Sequence, residues 1–290
     1  MQLQDALGQF QVQLSADGRS EHTRNQYQRH VAALIAWLKT VGRPTDIASI
    51  TPNTVAEFFG SDAARLSARG GTKKATSANA QRTSLRCFFR WLHESGLVAT
   101  NAARLLKRAR CAPPPPKALH PDEQERLLAV VATAPGPAGE RDRMLIQLLL
   151  GCGLRLGSAL GLDVGDVDLV HNELQVRKAK GDRPCTVMTP NTISKRLRAF
   201  IGDRVDGPLF LANGHRVSTR HAQRRLAAWL KAAGVGGKSA HSLRHSYAMR
   251  IYDETQDLLV TQAALGHSSV TSTVCYAKVD RKRLRAVVGE

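Results

Sequence analysis

The chain has 290 residues, of which 42% are hydrophobic and 23% charged. These are ordinary globular values that exclude wholesale disorder and leave room for one large domain or two modest ones. Lys and Arg total 42 against 24 Asp and Glu, a formal net charge of +18 at pH 7. No run approaches the roughly 18 consecutive apolar residues of a membrane span, and residues 1–10 lack the basic segment and apolar core of a signal peptide.

The expectation is therefore a cytoplasmic, nucleoid-associated protein facing a polyanion, with nucleic acid ahead of an anionic membrane. Residues 1–112 hold 16 basic and 7 acidic side chains and residues 113–290 hold 26 and 17, so each half carries a net +9. The excess is not a basic tail. The five cysteines (Cys87, Cys111, Cys152, Cys185, Cys275) are odd in number and form no CxxC pair. That pattern points to reduced thiols, with neither a disulfide framework nor a zinc site, and no metal or cofactor is expected.

In chain order, Ser20–Thr23 opens a helix with apolar positions at Tyr27, Val31, Leu34, Ile35 and Leu38, at helical spacing. A second helix is expected near Pro52–Phe59. A third, near Ala75–Ser95, places Leu85, Phe88, Phe89 and Leu92 on one side and stops at Gly96. A short helix near Asn101–Lys107 would complete an all-α bundle. Four prolines between Cys111 and Lys117 cannot continue a helix and mark the boundary between residues 1–112 and 113–290. Beyond them Pro121 starts a helix with acids in its first turn, Ala132–Gly139 reads as a broken loop, and Arg141–Leu150 as a strongly apolar helix. Glu173–Lys178 and Arg183–Met188 read as two strands of a hairpin. The rest is mostly helical, near 190–202, 217–233, 240–252, 256–265 and 269–276.

Several polar residues stand in unusual places. Arg155 lies within an apolar, glycine-rich stretch, although a side chain snorkelling from a helix end also fits it. Lys180 sits at the expected hairpin tip, where a lysine is commonly just solubilising. His241, Arg244 and His245 share one helical face. His267 follows a glycine stop, and Tyr276 lies near the C-terminal end; a lone Tyr is commonly a packing residue. Together, two Arg, a Lys, His side chains and a Tyr can perform phosphodiester chemistry without a metal. Arg forks neutralise the phosphoryl oxygens, Lys or His moves protons, and the phenol attacks phosphorus.

In these residues the second half resembles the catalytic domain of the tyrosine recombinases, the phage integrase and Xer class. The matching segments are GLRLGSAL around Arg155, AKGDR around Lys180, HSLRHSYA from His241, LGHSS around His267 and TSTVCYAKVD around Tyr276. The first half looks like that family's SAM-like core-binding domain, in LSADGRSEHTRNQYQRHVAALIAWL and SLRCFFRWLHESGLVATNAA. The resemblance implies a mainly α protein of two domains: a SAM-like helical bundle over 1–112 that binds DNA, and an α-rich catalytic domain with a small β-hairpin over 113–290. It implies that Arg155 and Arg244 bind the scissile phosphate and that Lys180 protonates the leaving 5′ oxygen. His241 would assist the proton at the nucleophile, His267 would hydrogen-bond the phosphate, and Tyr276 would form a 3′-phosphotyrosyl bond. Strand exchange would then pass through a Holliday junction on double-stranded DNA, without ATP or metal, in a homotetramer or heterotetramer.

The family commonly has an acid three positions after the first Arg, where this chain has Ser158; Asp163, Asp166 or Asp168 could take its place. A short amphipathic tail with Leu284, Val287 and Val288 would dock on a neighbouring protomer. The alternatives are a type IB-like topoisomerase and a DNA-binding protein with an impaired active site.

Overall fold

A computed structural model describes residues 1–67, 70–111, 117–177 and 184–266. The chain divides into two compact units, Met1–Pro113 and Pro114–Glu290.

The first unit is built from helices α1 (Leu3–Ala16), α2 (Glu21–Thr40), α3 (Pro52–Gly60), α4 (Asp62–Arg65) and α5 (Ala75–Glu94). Ser20 caps α2 by accepting from the Thr23 backbone N–H, and Thr51 and Thr54 cap α3 reciprocally ahead of Pro52. Gly96, at φ +72°, ends α5 in a left-handed turn in which the Leu97 N–H reaches back to the Leu92 carbonyl. The core is aromatic. Phe88 is fully buried, with ring centroids 5.4 Å from Phe10 and 5.4 Å from Phe89.

Two features depart from the sequence expectations. Helix α1 was not anticipated. Its apolar residues Leu3, Ala6, Leu7, Phe10 and Leu14 do repeat at helical spacing, but they are interleaved with glutamines and no side chain caps the start. The helix exists because those five residues are buried against α2 and α5. The helix expected over Asn101–Lys107 is instead a series of turns. The Asn101 side chain accepts from the Ala103 N–H, and the backbone closes i to i+3 bonds at Arg104 and Leu106. Farther on, the Asn79 side chain bonds both the N–H and the C=O of Ala109, each at 2.9 Å, and lays this segment along α5.

The second unit contains α6 (Pro121–Ala132), α7 (Gly136–Gly151), α8 (Leu156–Gly161), α9 (Asn191–Ile201), α10 (Thr219–Ala232), α11 (Ala240–Thr255) and α12 (Leu258–Leu265). A three-stranded antiparallel sheet of β1 (Val167–Asp168), β2 (Glu173–Val176) and β3 (Cys185–Met188) is ordered β1-β2-β3. A two-stranded ribbon joins β4 (Leu211–Ala212) to β5 (His215–Arg216). The β2–β3 ladder runs from Glu173 opposite Met188 to Val176 opposite Cys185. Helix α7 begins at Gly136, inside the segment expected to be loop, and runs through the core with Leu148 and Leu149 fully buried. Its neighbours α6, α9 and α11 pack around it. The helix expected over 269–276 lies outside the described residues. Among the described residues, no helix is long and apolar enough to cross a membrane.

Phe88→Ala removes the centre of the first unit's core, and a cavity of that kind costs about 3–5 kcal/mol. Urea unfolding followed by tryptophan fluorescence should show a lower midpoint for that unit with an unchanged slope.

Candidate active site

The site is centred on α11. Its first turn is closed by a reciprocal cap between Ser239 and Ser242, which sets the helix start one residue before His241. From there His241, Arg244 and His245 follow at i, i+3 and i+4, on one face. The rings of His241 and His245 meet edge to face, with centroids 4.4 Å apart.

Arg244 is 3% exposed. A guanidinium withdrawn from water to that degree must be hydrogen-bonded. One amino group donates to the Gly153 carbonyl and the other to the Leu265 carbonyl, the latter at 2.6 Å. Arg244 thus ties together the turn after α7, its own helix and the last residue of α12. Gly153 permits the approach: it adopts φ +62°, and a Cβ there would lie 2.2 Å from the Tyr247 ring of α11. A side chain at position 153 would push α11 away from the turn that leads to Arg155.

Arg155 is half-buried and sits at the N-cap of α8, its carbonyl accepting from the Ala159 N–H at 2.9 Å. Arg155, His241 and Arg244 line one cavity of about 430 Å3, whose walls include Leu154, Leu226 and Leu230. Two guanidinium groups and an imidazole on an apolar wall form a site for a compact anion. Desolvation, then the charges of Arg244 and Arg155, hold the His241 pKa below its ordinary value. Burial, then His241 and Arg244, push His245 down to about 4. Both rings are consequently neutral at pH 7, and a neutral His241 can accept a proton.

Lys180, His267 and Tyr276 lie outside the described residues. The described chain ends at Gly266, at φ +57°, one residue past the carbonyl that Arg244 holds.

Sequence reasoning missed Lys238, which also lines the cavity. Its ammonium is drawn to the Ala118 carbonyl at 2.5 Å and lies 3.5 Å from Glu123. No local pattern marks it, because these partners are more than 100 residues away in the chain.

Ser158 lines a different cavity, of about 490 Å3, together with Asp163, Asp166, Arg177 and Arg216. Asp163 binds both Arg177 and Arg216, and Asp166 binds Arg177 at 2.7 Å. Those arginines hold the Asp163 carboxyl below the usual carboxylate range. Asp168 accepts from the backbone N–H groups of His171 and Val170 and pairs with the His171 ring, which brings its pKa to about 2. Asp163 and Asp166 thus lie beside Ser158 and pair with arginines, Asp168 pairs with His171, and no carboxylate is among the described residues lining the Arg155 cavity.

Comparison with known proteins gives two family matches. Residues 117–283 match the phage integrase family and residues 7–96 match the phage integrase N-terminal SAM-like domain. The tyrosine recombinase XerC of Serratia marcescens is 31% identical over 278 residues, covering 91% of this chain and 86% of that protein. Among solved structures, the XerH site-specific recombinase bound to difH substrate in a pre-cleavage complex superposes with a TM-score of 0.72 at 21% identity, covering 92% of this chain and 79% of that one. The Tn1549 transposon integrase in complex with circular intermediate DNA reaches a TM-score of 0.76 at 18% identity, covering 100% of each chain. The likeness to these two structures is one of fold.

His245 gives the site a pH signature. Its folded pKa of about 4 lies below the ordinary value of about 6.5, so the unfolded chain takes up the proton first. Its contribution to stability is complete above about pH 6.5 and is lost as pH falls from there toward about 4. Thermal midpoints measured across that window should fall less steeply for His245→Phe than for the wild type.

Proposed function

The chain belongs to the phage integrase family and is a tyrosine-type site-specific recombinase; from that premise we propose that the Arg155, His241 and Arg244 cavity holds the scissile phosphate of duplex DNA while Tyr276 attacks it. The observation that carries this reading is the convergence of the three side chains, from two segments about 90 residues apart, on one apolar-walled cavity.

Arg155 and Arg244 offset the charge that gathers on the phosphoryl oxygens in the transition state. His241, kept neutral by desolvation and then by the same two arginines, assists removal of the phenolic proton. The Tyr276 oxygen forms a bond to phosphorus as the bond to the 5′ oxygen breaks. Lys180 delivers a proton to that leaving oxygen and His267 hydrogen-bonds the phosphate. The 5′ hydroxyl of a partner strand then attacks the 3′-phosphotyrosyl link and releases the tyrosine. The link conserves the bond energy, so resealing needs no ATP and leads through a Holliday junction. Relatives named as recombinases do not favour the topoisomerase alternative or that of an impaired active site.

The first unit supplies a second DNA contact in this proposal. Arg19, Arg86, Arg90, Arg104 and Arg108 line one cavity of about 430 Å3 between α2, α5 and the turns after α5. Such a concentration of guanidinium groups suits a phosphate backbone. Residues 1–112 thus serve as the core-binding domain and 113–290 as the catalytic domain. Protomers assemble as a tetramer on the recombination site, with the tail bearing Leu284, Val287 and Val288 docking on a neighbour.

Tyr276→Phe removes one oxygen and keeps the ring. On a suicide duplex nicked near the crossover, wild type should give a protein–DNA adduct on a denaturing gel. The variant should bind the duplex normally and give none; a full-strength adduct from the variant would remove Tyr276 as nucleophile. DNA affinity should also fall steeply with salt, and Arg86→Ala should make the slope of log K against log salt shallower by about 0.9, the loss of one phosphate contact.

A further inference from the structure

The ladder between β2 and β3 ends at the Val176–Cys185 pair. Arg177 is the first residue beyond it, and Lys180 lies three residues further along the chain. Arg177 is held by two carboxylates: one amino group donates both to Asp163 and, at 2.7 Å, to Asp166. The acids are themselves fixed, since Asp166 is 8% exposed and accepts the Asp163 backbone N–H at 2.8 Å. Asp163 also receives Arg216, which donates to the Leu160 and Leu162 carbonyls at 2.8 and 3.0 Å, at the C-terminal end of α8. One carboxylate therefore joins the hairpin foot to the helix whose first turn begins at Arg155.

We propose that Arg177 is a positioning residue for strand cleavage: anchored on Asp163 and Asp166, it fixes where the hairpin leaves the sheet and thereby delivers Lys180 to the leaving oxygen. The proposal rests on the reading above that Lys180 is the general acid. Two observations favour it over the plainer reading of Arg177 as a phosphate contact. One of its amino groups is already engaged by two carboxylates, which would repel a phosphate brought alongside. Its position also directly follows Val176, the last paired residue of β2, so the anchor fixes the end of that strand. The neighbouring Ser158 brings no carboxylate to the same cavity, and among the described residues lining it Asp163 and Asp166 are the acids that set this anchor.

The test compares two suicide duplexes, one with the ordinary 5′ oxygen at the scissile bond and one with a bridging 5′ sulfur. The reaction forms the Tyr276 oxygen–phosphorus bond and breaks phosphorus–oxygen or phosphorus–sulfur. Oxygen leaves with a proton from the general acid, whereas sulfur leaves as a thiolate, stable without one because thiols ionise at about 8.5. Arg177→Ala should slow adduct formation on oxygen by about 10–100-fold, the cost of misplacing a reacting group by about 1 Å. On sulfur it should come within about threefold of wild type, in parallel with Lys180→Ala, because only the acid step has been bypassed. DNA affinity should stay within about twofold, since no phosphate contact is lost.

An equal defect on both substrates, a loss of DNA affinity or an undiminished rate on oxygen would each overturn the proposal. If sulfur fails to rescue Lys180→Ala, the assignment of Lys180 as the acid falls, and the role of Arg177 with it. If sulfur rescues Lys180→Ala but not Arg177→Ala, only the role of Arg177 falls. Should Arg177→Ala not fold, Asp163→Asn, which removes the shared charge and keeps the side-chain shape, gives the same comparison.

Discussion

The catalytic unit depends on the burial of one charge. Arg244 is almost completely withdrawn from water, and an uncompensated buried guanidinium would cost several kcal/mol, on the order of 3–5 when a partner is removed. The chain meets that requirement with main-chain carbonyls, from Gly153 on one side and Leu265 on the other. Because backbone atoms are the partners, satisfying the charge also fixes the course of the chain. The turn into α8, the axis of α11 and the end of α12 take their relative positions from one side chain. Gly153 is part of the same constraint, since its positive φ and missing Cβ allow the turn to lie against the Tyr247 ring.

The arrangement leaves a positive field inside an apolar-walled cavity. That field favours an anion between Arg155 and Arg244, and it adds to desolvation, the larger cause, in disfavouring protonation of His241 and His245. An acid in the same cavity would weaken both effects. The nearby acids are instead gathered on the far side of α8, where Asp163 and Asp166 neutralise Arg177 and Arg216. Among the described residues the catalytic unit thus separates its charges: no carboxylate lines the cavity that Arg155 and Arg244 share, and balanced pairs stand where elements must be held together.

The first unit divides its labour differently. Its rigidity comes from packed rings, with Phe88 against Phe10, Phe89 and Trp91, and Phe10 against Trp91. Helix α5 turns that aromatic face inward and presents Arg86 and Arg90 outward, beside Arg104 and Arg108 from the turns that follow. Apolar residues at helical spacing are thus what align a row of cations on the opposite face.

Much of this was legible in the sequence, for local reasons. Helices α2, α3 and α5 announce themselves by caps and by apolar residues at the 3.6 period, the proline run marks the boundary, and the spacing of His241, Arg244 and His245 places them on one face. Where local signals were weak or competing, the sequence misled. Helix α1 forms without a cap because burial of Leu3, Leu7 and Phe10 outweighs its glutamine-rich composition. The segment from Asn101 remains a turn because the Asn101 side chain captures a backbone N–H that a helix would need. The chain by itself determined which residue types could do phosphodiester chemistry and the order in which they occur. Only the tertiary structure decided that Arg155 and Arg244 share a cavity, that Ser158, Asp163 and Asp166 face another, and that Arg177 is bound to acids 11 and 14 residues before it. These are contacts between distant segments, set by where a buried charge and a hydrophobic core could be satisfied together, and no local period or spacing encodes them.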